Sequence, residues 1–262
     1  MRLITLNTWG GRLAHKLIPF LAKQARTTDI ICLQEVLDVS EFETRKQKWK
    51  DISSATDWHA ATENRLTLDL YWRIRTALPE FNSNLSASYS SGNERLATFV
   101  KKGLAIEKCL YQDLVVMRSG VYGVPFDVGS PFQYSRVKGK GPAYNICNIH
   151  GLWQPVGKGD TPERIRQAHS WIREAKRLNG RSILCGDFNL APDTESIALL
   201  ERAGFVNLIK EYGIKTTRNE LHRSKNSNFA DYIFVSKDIK VSGFGTVNET
   251  VSDHLPLYID FS

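Results

Sequence analysis

Carboxylates, carboxamides and two histidines recur at the ends of apolar runs in this 262-residue chain, and these are the residues that could do chemistry. The clearest case is Ser182-Ile183-Leu184-Cys185-Gly186-Asp187-Phe188-Asn189, a buried-strand pattern that runs into a glycine and then presents a carboxylate and an amide two residues apart. Such a pair can hold a cation and a phosphate oxygen together. Asn7, Glu35, His150, Asp231, Asp253 and His254 also border apolar runs, and Glu94 opens one. Singly, each reads as an ordinary turn former or a locally satisfied histidine. Jointly, with no serine or cysteine nucleophile among them, they point to metal-assisted hydrolysis.

Side chains this far apart in sequence meet only where strand ends converge on one rim of a packed sheet. The pattern supplies such strands. Residues 2–7 alternate Leu3, Thr5 and Asn7 against Ile4 and Leu6, and residues 29–35 form an apolar run ending in Glu35. Residues 94–100, 104–116 and 121–128 read as an antiparallel meander. In the strand predicted over 143–150, period two places Asn148 and His150 on the same face. Further strands are predicted over 182–187, 229–236 and 255–261. Helical spacing falls between them: Leu13, Leu17 and Leu21, delayed or kinked by Pro19; Leu66, Leu70, Ile74 and Leu78 within 63–78; and Ile165, Ala168, Ile172 and Ala175 behind a Thr161-Pro162 start. A short helix capped by Asp193 runs to Leu200, residues 41–50 are helix-prone, and the serine-rich residues 82–93 read as a loop. No linker or repeat is visible. The expectation is one α/β domain over 1–262, with a helical, basic insertion at about 38–93.

Composition narrows the setting. At 42% hydrophobic the chain can bury a sizeable core, and it contains no apolar stretch of membrane-spanning length. Met1 leads straight into a strand with no secretory leader, so a soluble, cytoplasmic chain is expected, and a monomer. Cys32, Cys109, Cys147 and Cys185 are scattered singly, as buried free thiols are, and show neither disulfide nor zinc spacing. A net charge of +7 favours a polyanionic partner or substrate.

Leu-Asn-Thr-Trp at Asn7, Leu-Gln-Glu-Val at Glu35, Asn-Ile-His at His150, Gly-Asp-Phe-Asn at Asp187, Asp-Tyr-Ile at Asp231 and Ser-Asp-His at Asp253 and His254 occur in a fixed order. In that order they resemble the endonuclease/exonuclease/phosphatase superfamily, and the resemblance spans nearly the whole chain. It implies a four-layer α/β sandwich: two packed mixed β-sheets flanked by helices. Glu94, opening a strand, is similar to a second glutamate of the deoxyribonuclease I-like branch, where it pairs with the histidine matching His150. Abasic-site endonucleases carry a tyrosine at the His150 position, which argues against that activity here. Sphingomyelinases and deadenylases share the Asn-x-His motif and stay open.

On this resemblance the chain is a Mg²⁺-dependent hydrolase of phosphate esters, with Mn²⁺ the alternative ion. Hydrolysis at phosphorus is mostly positioning and charge stabilisation, and a hard cation suits oxygen donors. Glu35 is the expected principal metal ligand, with Asn7 and Asp253 completing the site. Asp187 would orient or deprotonate the attacking water and Asn189 would donate to a phosphoryl oxygen. Glu94 with His150, and Asp231 with His254, would form carboxylate-backed pairs, either histidine serving as acid or base. A nuclease is the first reading. A phosphatase or phosphodiesterase for a small, lipid or sugar phosphate is the second, and a non-catalytic anion-binding domain the third. Where deoxyribonuclease I-like enzymes place an arginine and a tyrosine in the minor groove, this chain has Leu37 and Gly92, so duplex DNA is an unfavoured substrate. Substrate contacts are then expected from Asn148, Trp153, Arg73 and Arg75, with Arg65 and Trp72 as further candidates.

Overall fold

The alternation of the first strand, β1 (Arg2–Asn7), shows how the layers are built. Leu3 packs into the core shared by two sheets, while Leu6 turns the other way, into a cluster shared with helices. The neighbouring β2 (Ile30–Leu37) repeats the pattern, with Ile30 and Cys32 facing inward and Ile31 and Leu33 outward. The structure, a computed structural model, describes residues 1–38, 66–89, 93–123, 127–222 and 227–262. The helix expected over 41–50 and the candidate residues Arg65 and Gly92 lie outside these described residues.

Two six-stranded mixed sheets pack face to face, as the resemblance implied. The first contains β1, β2, β3 (Phe81–Leu85), β4 (Glu94–Lys101), β11 (Val241–Thr246) and β12 (Leu257–Phe261), in the order β11-β12-β1-β2-β4-β3. The second contains β5 (Ala105–Met117), β6 (Val128–Lys138), β7 (Ala143–His150), β8 (Ser182–Asp187), β9 (Phe205–Asn207) and β10 (Asp231–Ser236), in the order β5-β6-β7-β8-β10-β9. Each sheet has a single parallel pair, β1 with β2 and β7 with β8. Parallel neighbours need a crossover, and helices α1 (Ala14–Gln24) and α3 (Pro162–Arg177) supply the two. Asn7, Glu35, His150 and Asp187 therefore stand at the carboxyl ends of four strands that point the same way. The antiparallel neighbours begin on that rim: Glu94 opposite Leu37, and Asp231 opposite Asp187.

Helices cover the outer faces. On the first sheet, α1 buries Leu17, Phe20 and Leu21, with Pro19 inside it, and packs on α2 (Leu70–Ala77). On the second, α3 starts at Thr161, whose hydroxyl accepts from the Arg164 N–H, and presents Trp171 edge-on to Phe188 with ring centroids 5.0 Å apart. Beside it lies α4 (Glu195–Arg202), and α5 (Leu208–Glu211) follows β9. Among the described residues no helix is long and apolar enough to cross a membrane.

Three local expectations are corrected. Thr194, not Asp193, caps α4, its hydroxyl accepting from the Ile197 N–H. Val121–Gly123 is a 3-10 turn where a strand is expected over 121–128, and the next strand begins at Val128 and runs through Pro131. A register shift between Asp113 and Val116 follows the Asp113–Pro131 pairing and absorbs the missing N–H. Residues 81–85 form an edge strand inside the predicted loop, invisible to periodicity because Asn82, Ser83 and Asn84 carry no apolar alternation. Of the expected insertion, residues 66–89 are built into the first sheet: α2 packs on α1 and β2, and β3 forms the sheet's edge.

Gly186 meets two demands at once, of conformation and of space. Its φ is +133°, and a Cβ there would lie 2.1 Å from the Ile149 carbonyl oxygen of the parallel neighbour β7. Gly103 has φ +99° with nothing within 4 Å of such a Cβ. Gly186→Ala is expected to destabilise the protein by at least ~3 kcal/mol and Gly103→Ala by only ~1 kcal/mol, compared by urea unfolding. Equal effects would show that β7 and β8 do not need this close approach.

Candidate active site

The rim brings the polar strand ends together through specific backbone devices. In β2 the register against β4 shifts between Leu33 and Val36, and within that bulge Glu35 takes a left-handed φ of +54°. A non-glycine residue in that conformation is strained by ~1–3 kcal/mol, and such strain collects at functional sites. Thr8 fixes the bulge, its hydroxyl donating to the carbonyls of Gln34 and Glu35, each at 2.9 Å. The Glu35 N–H donates to the Tyr89 hydroxyl at 3.3 Å.

Asp187 is the hub. Its Oδ1 accepts from the Asn189 N–H at 2.8 Å and its Oδ2 from Asn7 Nδ2 at 3.0 Å. The same Asn7 nitrogen donates to Glu35 Oε1 at 2.9 Å, so one amide ties the two carboxylates together. His150 and His254 both bring Nε2 to 3.7 Å from Asp187 Oδ2. His254 Nδ1 meets Asp231 at 2.8 and 2.9 Å, the expected carboxylate-backed pair. Pairing across three adjacent strands sets this row, since Asp187 is the register partner of both His150 and Asp231.

For His150 the expected partner is corrected. Tyr89, not Glu94, meets its Nδ1, at 2.7 Å, and among the described residues the carboxylates within 4 Å of its Nε2 are Glu35 and Asp187. The reason is local: the chain after β3 folds back along the start of β4, where the Tyr89 N–H donates to the Glu94 carbonyl. The Tyr89 oxygen receives the Glu35 N–H, and we assign its own proton to the hydrogen bond with His150 Nδ1. The neutral ring then carries its proton on Nε2, facing the two carboxylates.

Charge separates the groups. Burial and the neighbouring charge of Glu94 push Glu35 up to about 8, against the Asn7 hydrogen bond. Burial works the same way on Asp187, but the charges of Lys158, His254 and Arg218 outweigh it and hold that carboxyl well below the usual range. His150 is lowered by burial to about 4 and is neutral. His254 is raised: burial and Arg218 oppose, while Asp231 and Asp253 favour the imidazolium. The two histidines, equivalent in sequence, are in different states.

A divalent cation fits this donor set. Two groups of side chains bring polar atoms within 4.8 Å of one another, Glu35 with His150 and Asp187, and Asp187 with Asp231 and His254; the ligands among them are the carboxylates, since the ring nitrogens facing Asp187 carry protons. A carboxylate lifted to about 8 by burial and like charge lacks a counter-ion that a hard cation would supply.

Other expected residues are placed differently. Asn7 Oδ1, the atom that would serve as a ligand, accepts from the Trp9 N–H at 2.9 Å. Asp253 belongs to neither donor group and instead accepts from Arg218 Nη1 at 2.8 Å. Asn148 is fully buried between the sheets, where it accepts from Gln34 Nε2 at 2.7 Å, so it cannot touch substrate. Arg73 is paired with Asp69 on its own helix and Arg75 lies over the Trp72 ring; neither of these contacts involves a rim residue. Trp153 is exposed on the loop after β7. Asn189 is at the site, with Nδ2 donating to the Gly151 carbonyl at 2.9 Å and Oδ1 accepting from Lys158. Tyr89, Lys158 and Arg218 also lie at the candidate site, and the sequence reading missed them. All three lie outside the strand ends it searched; the one signal was a lysine between two glycines, Gly157-Lys158-Gly159, shortly after His150.

Below pH 8 a cation entering beside Glu35 must displace a proton. Mg²⁺ affinity is therefore expected to climb with pH up to about 8 and then flatten, with release of about one proton per ion at pH 7. Calorimetry in two buffers of different ionisation enthalpy measures the release, and Glu35→Gln should abolish it. Proton release unchanged in that variant would remove Glu35 from the metal site.

The sequence pattern of the Endonuclease/Exonuclease/phosphatase family matches residues 4–254. No curated protein matches the chain. Solved structures do: an endonuclease/exonuclease/phosphatase from Bacteroides vulgatus is 17% identical with TM-score 0.70, covering 100% of this chain and 98% of that one. The mannosyl-6-phosphatase Bt3783 of Bacteroides thetaiotaomicron is 17% identical with TM-score 0.69, covering 100% and 99%. The human nocturnin catalytic domain is 16% identical with TM-score 0.61, covering 100% and 94%. At these identities the structures show a shared fold, and the sequence pattern shows the kinship. The chain belongs to the Endonuclease/Exonuclease/phosphatase family of phosphoester hydrolases.

Proposed function

We propose that this protein is a Mg²⁺-dependent phosphodiester hydrolase acting on single-stranded nucleic acid in preference to duplex DNA. The observation that carries the hydrolytic part is the arrangement around Asp187 Oδ2: Asn7 at 3.0 Å, and the Nε2 atoms of a neutral and a charged histidine each at 3.7 Å. Glu35 and Asp187 would hold the cation with His150 beside them, and its contribution there is Lewis-acid polarisation of a phosphoryl oxygen.

The protein's own groups do the rest. Asp187, ionised throughout the working pH range, orients the attacking water and accepts its proton. His150 offers an N–H from Nε2, fixed in that tautomer by Tyr89. His254, kept charged by Asp231, presents an acidic N–H and can pass a proton to the leaving oxygen.

The substrate preference is supported by Leu37. It is 2% exposed and packs in the outer core of the first sheet, so the position that would reach into a minor groove is closed to substrate. Net charge +7 suits a polyanion. A small phosphomonoester is the second reading, favoured by the additional cation Lys158 beside Asp187, which suits a doubly charged phosphate.

The test is substrate profiling with Mg²⁺ on single-stranded and duplex oligonucleotides, bis(p-nitrophenyl) phosphate and sugar phosphates. Single strands are expected to be cut at least about tenfold faster than duplex, with binding that weakens steeply with salt. Duplex turnover above every other substrate would overturn the preference. His254→Ala should lower kcat about 10²–10⁴-fold. Activity that needs the imidazolium falls as pH rises through the raised pKa of His254. Asp231→Asn removes a carboxylate that raises it and should move that alkaline limb to lower pH; an unmoved limb would exclude His254 as the acid.

A further inference from the structure

The loop between β7 and α3 is built to hold one cation still. Arg164 is fully buried, and its guanidinium donates to loop carbonyls: Nε and Nη2 to Leu152 at 3.3 and 3.2 Å, and Nη1 to Gly157 at 2.7 Å and Gly159 at 2.6 Å. The Asp160 carboxylate accepts from the Glu195 and Ser196 N–H groups at 2.6 and 3.0 Å and from the Ser196 hydroxyl at 2.6 Å. Between these anchors, the Lys158 carbonyl accepts from the Ala191 N–H at 2.9 Å. The backbone on both sides of Lys158 is thus fastened to α3, to α4 and to the segment after β8.

From that mount the Lys158 ammonium donates to Asn189 Oδ1. An ammonium can only donate and a carbonyl can only accept, so with Lys158 on one side and the Gly151 carbonyl on the other the orientation of the Asn189 amide is fixed. Its oxygen faces the lysine and its nitrogen faces Gly151. The amide expected to donate to a phosphoryl oxygen is therefore turned to other work. Among the described residues the ammonium has no hydrogen-bond partner besides Asn189, which leaves two N–H donors on the side of Asp187, whose ionised form the lysine's charge favours. A flexible alkyl stem carrying a compact point charge suits an anion whose position shifts during reaction.

We propose that Lys158 is a catalytic residue whose ammonium binds a non-bridging oxygen of the substrate's phosphoryl group next to Asp187. This rests on the phosphoester-hydrolase reading above and adds the group that holds the anion.

The experiment measures three quantities on the full chain, for wild type, Lys158→Met and Lys158→Arg: inorganic phosphate binding by calorimetry, Mg²⁺ affinity, and kcat and KM on bis(p-nitrophenyl) phosphate. For Lys158→Met the expected result is phosphate binding weakened at least about tenfold, kcat lowered about 10²-fold and Mg²⁺ affinity no weaker than wild type, since a neighbouring positive charge is removed. Lys158→Arg keeps the charge and should recover part of the phosphate binding, which shows that the site remains folded. Phosphate bound equally by wild type and Lys158→Met, or by neither, overturns the proposal. So does a parallel loss of Mg²⁺ affinity, which would mark a structural role. The two readings fail separately: Lys158-dependent phosphate binding without hydrolysis of any phosphoester sinks the hydrolase reading alone, and hydrolysis indifferent to Lys158→Met sinks this proposal alone.

Discussion

A carboxylate that is 1% exposed and still ionised is the constraint around which this protein is arranged. Burying an isolated charge is prohibitively costly, and leaving one buried without its partner typically costs about 3–5 kcal/mol. Asp187 is tolerated because donors and positive charge surround it: an amide from β1, a backbone N–H from its own chain, imidazoles from the ends of β7 and of the segment before β12, and the ammonium of a clamped loop. Each comes from a different part of the fold. Stabilising this one anion therefore requires both sheets to be in register with each other, and the same requirement assembles the site.

The register between the sheets is held partly by polar contacts where an apolar core would suffice for stability alone. Gln34 reaches across to Asn148, and Asn148 Nδ2 returns to the Leu33 and Ala97 carbonyls at 3.2 and 3.3 Å. Thr98 joins Gln133 at 2.7 Å, and Gln133 Nε2 reaches the Asn84 carbonyl at the edge of the first sheet. Directional bonds in a low-dielectric interior permit one alignment and penalise others. Gln34 lies next to Glu35, and Asn148 lies two residues before His150. A slip of these strands would cost buried hydrogen bonds as well as move Glu35 and His150.

Two histidines with the same motif-level standing acquire opposite charge from their surroundings. A hydroxyl meets Nδ1 of His150, and burial keeps that ring neutral; a carboxylate meets Nδ1 of His254, and the ring charges. One neighbour each thus separates a neutral imidazole from a charged one within the same site.

Much of the site was legible in the sequence because its chemistry sits where strand periodicity stops. Asn7, Glu35, His150, Asp187, Asn189 and the Asp231–His254 pair are polar exceptions at the ends of apolar runs, and six motifs in order were enough to imply the two-sheet sandwich. Local pattern could not find β3 or β11, because edge strands bury one side at most and carry little alternation. Nor could it separate Asn148 from His150, which share a face; only the depth of the sandwich decides that one is sealed between the sheets and the other reaches the rim. Tyr89, Lys158 and Arg218 come from loops whose sequences carry no period, and their roles follow from what those loops are fastened to. The sequence determined which strand ends carry charge. The tertiary structure decided which charges meet and in what ionisation state, because burial and distance, which set both, exist only once the sheets are packed.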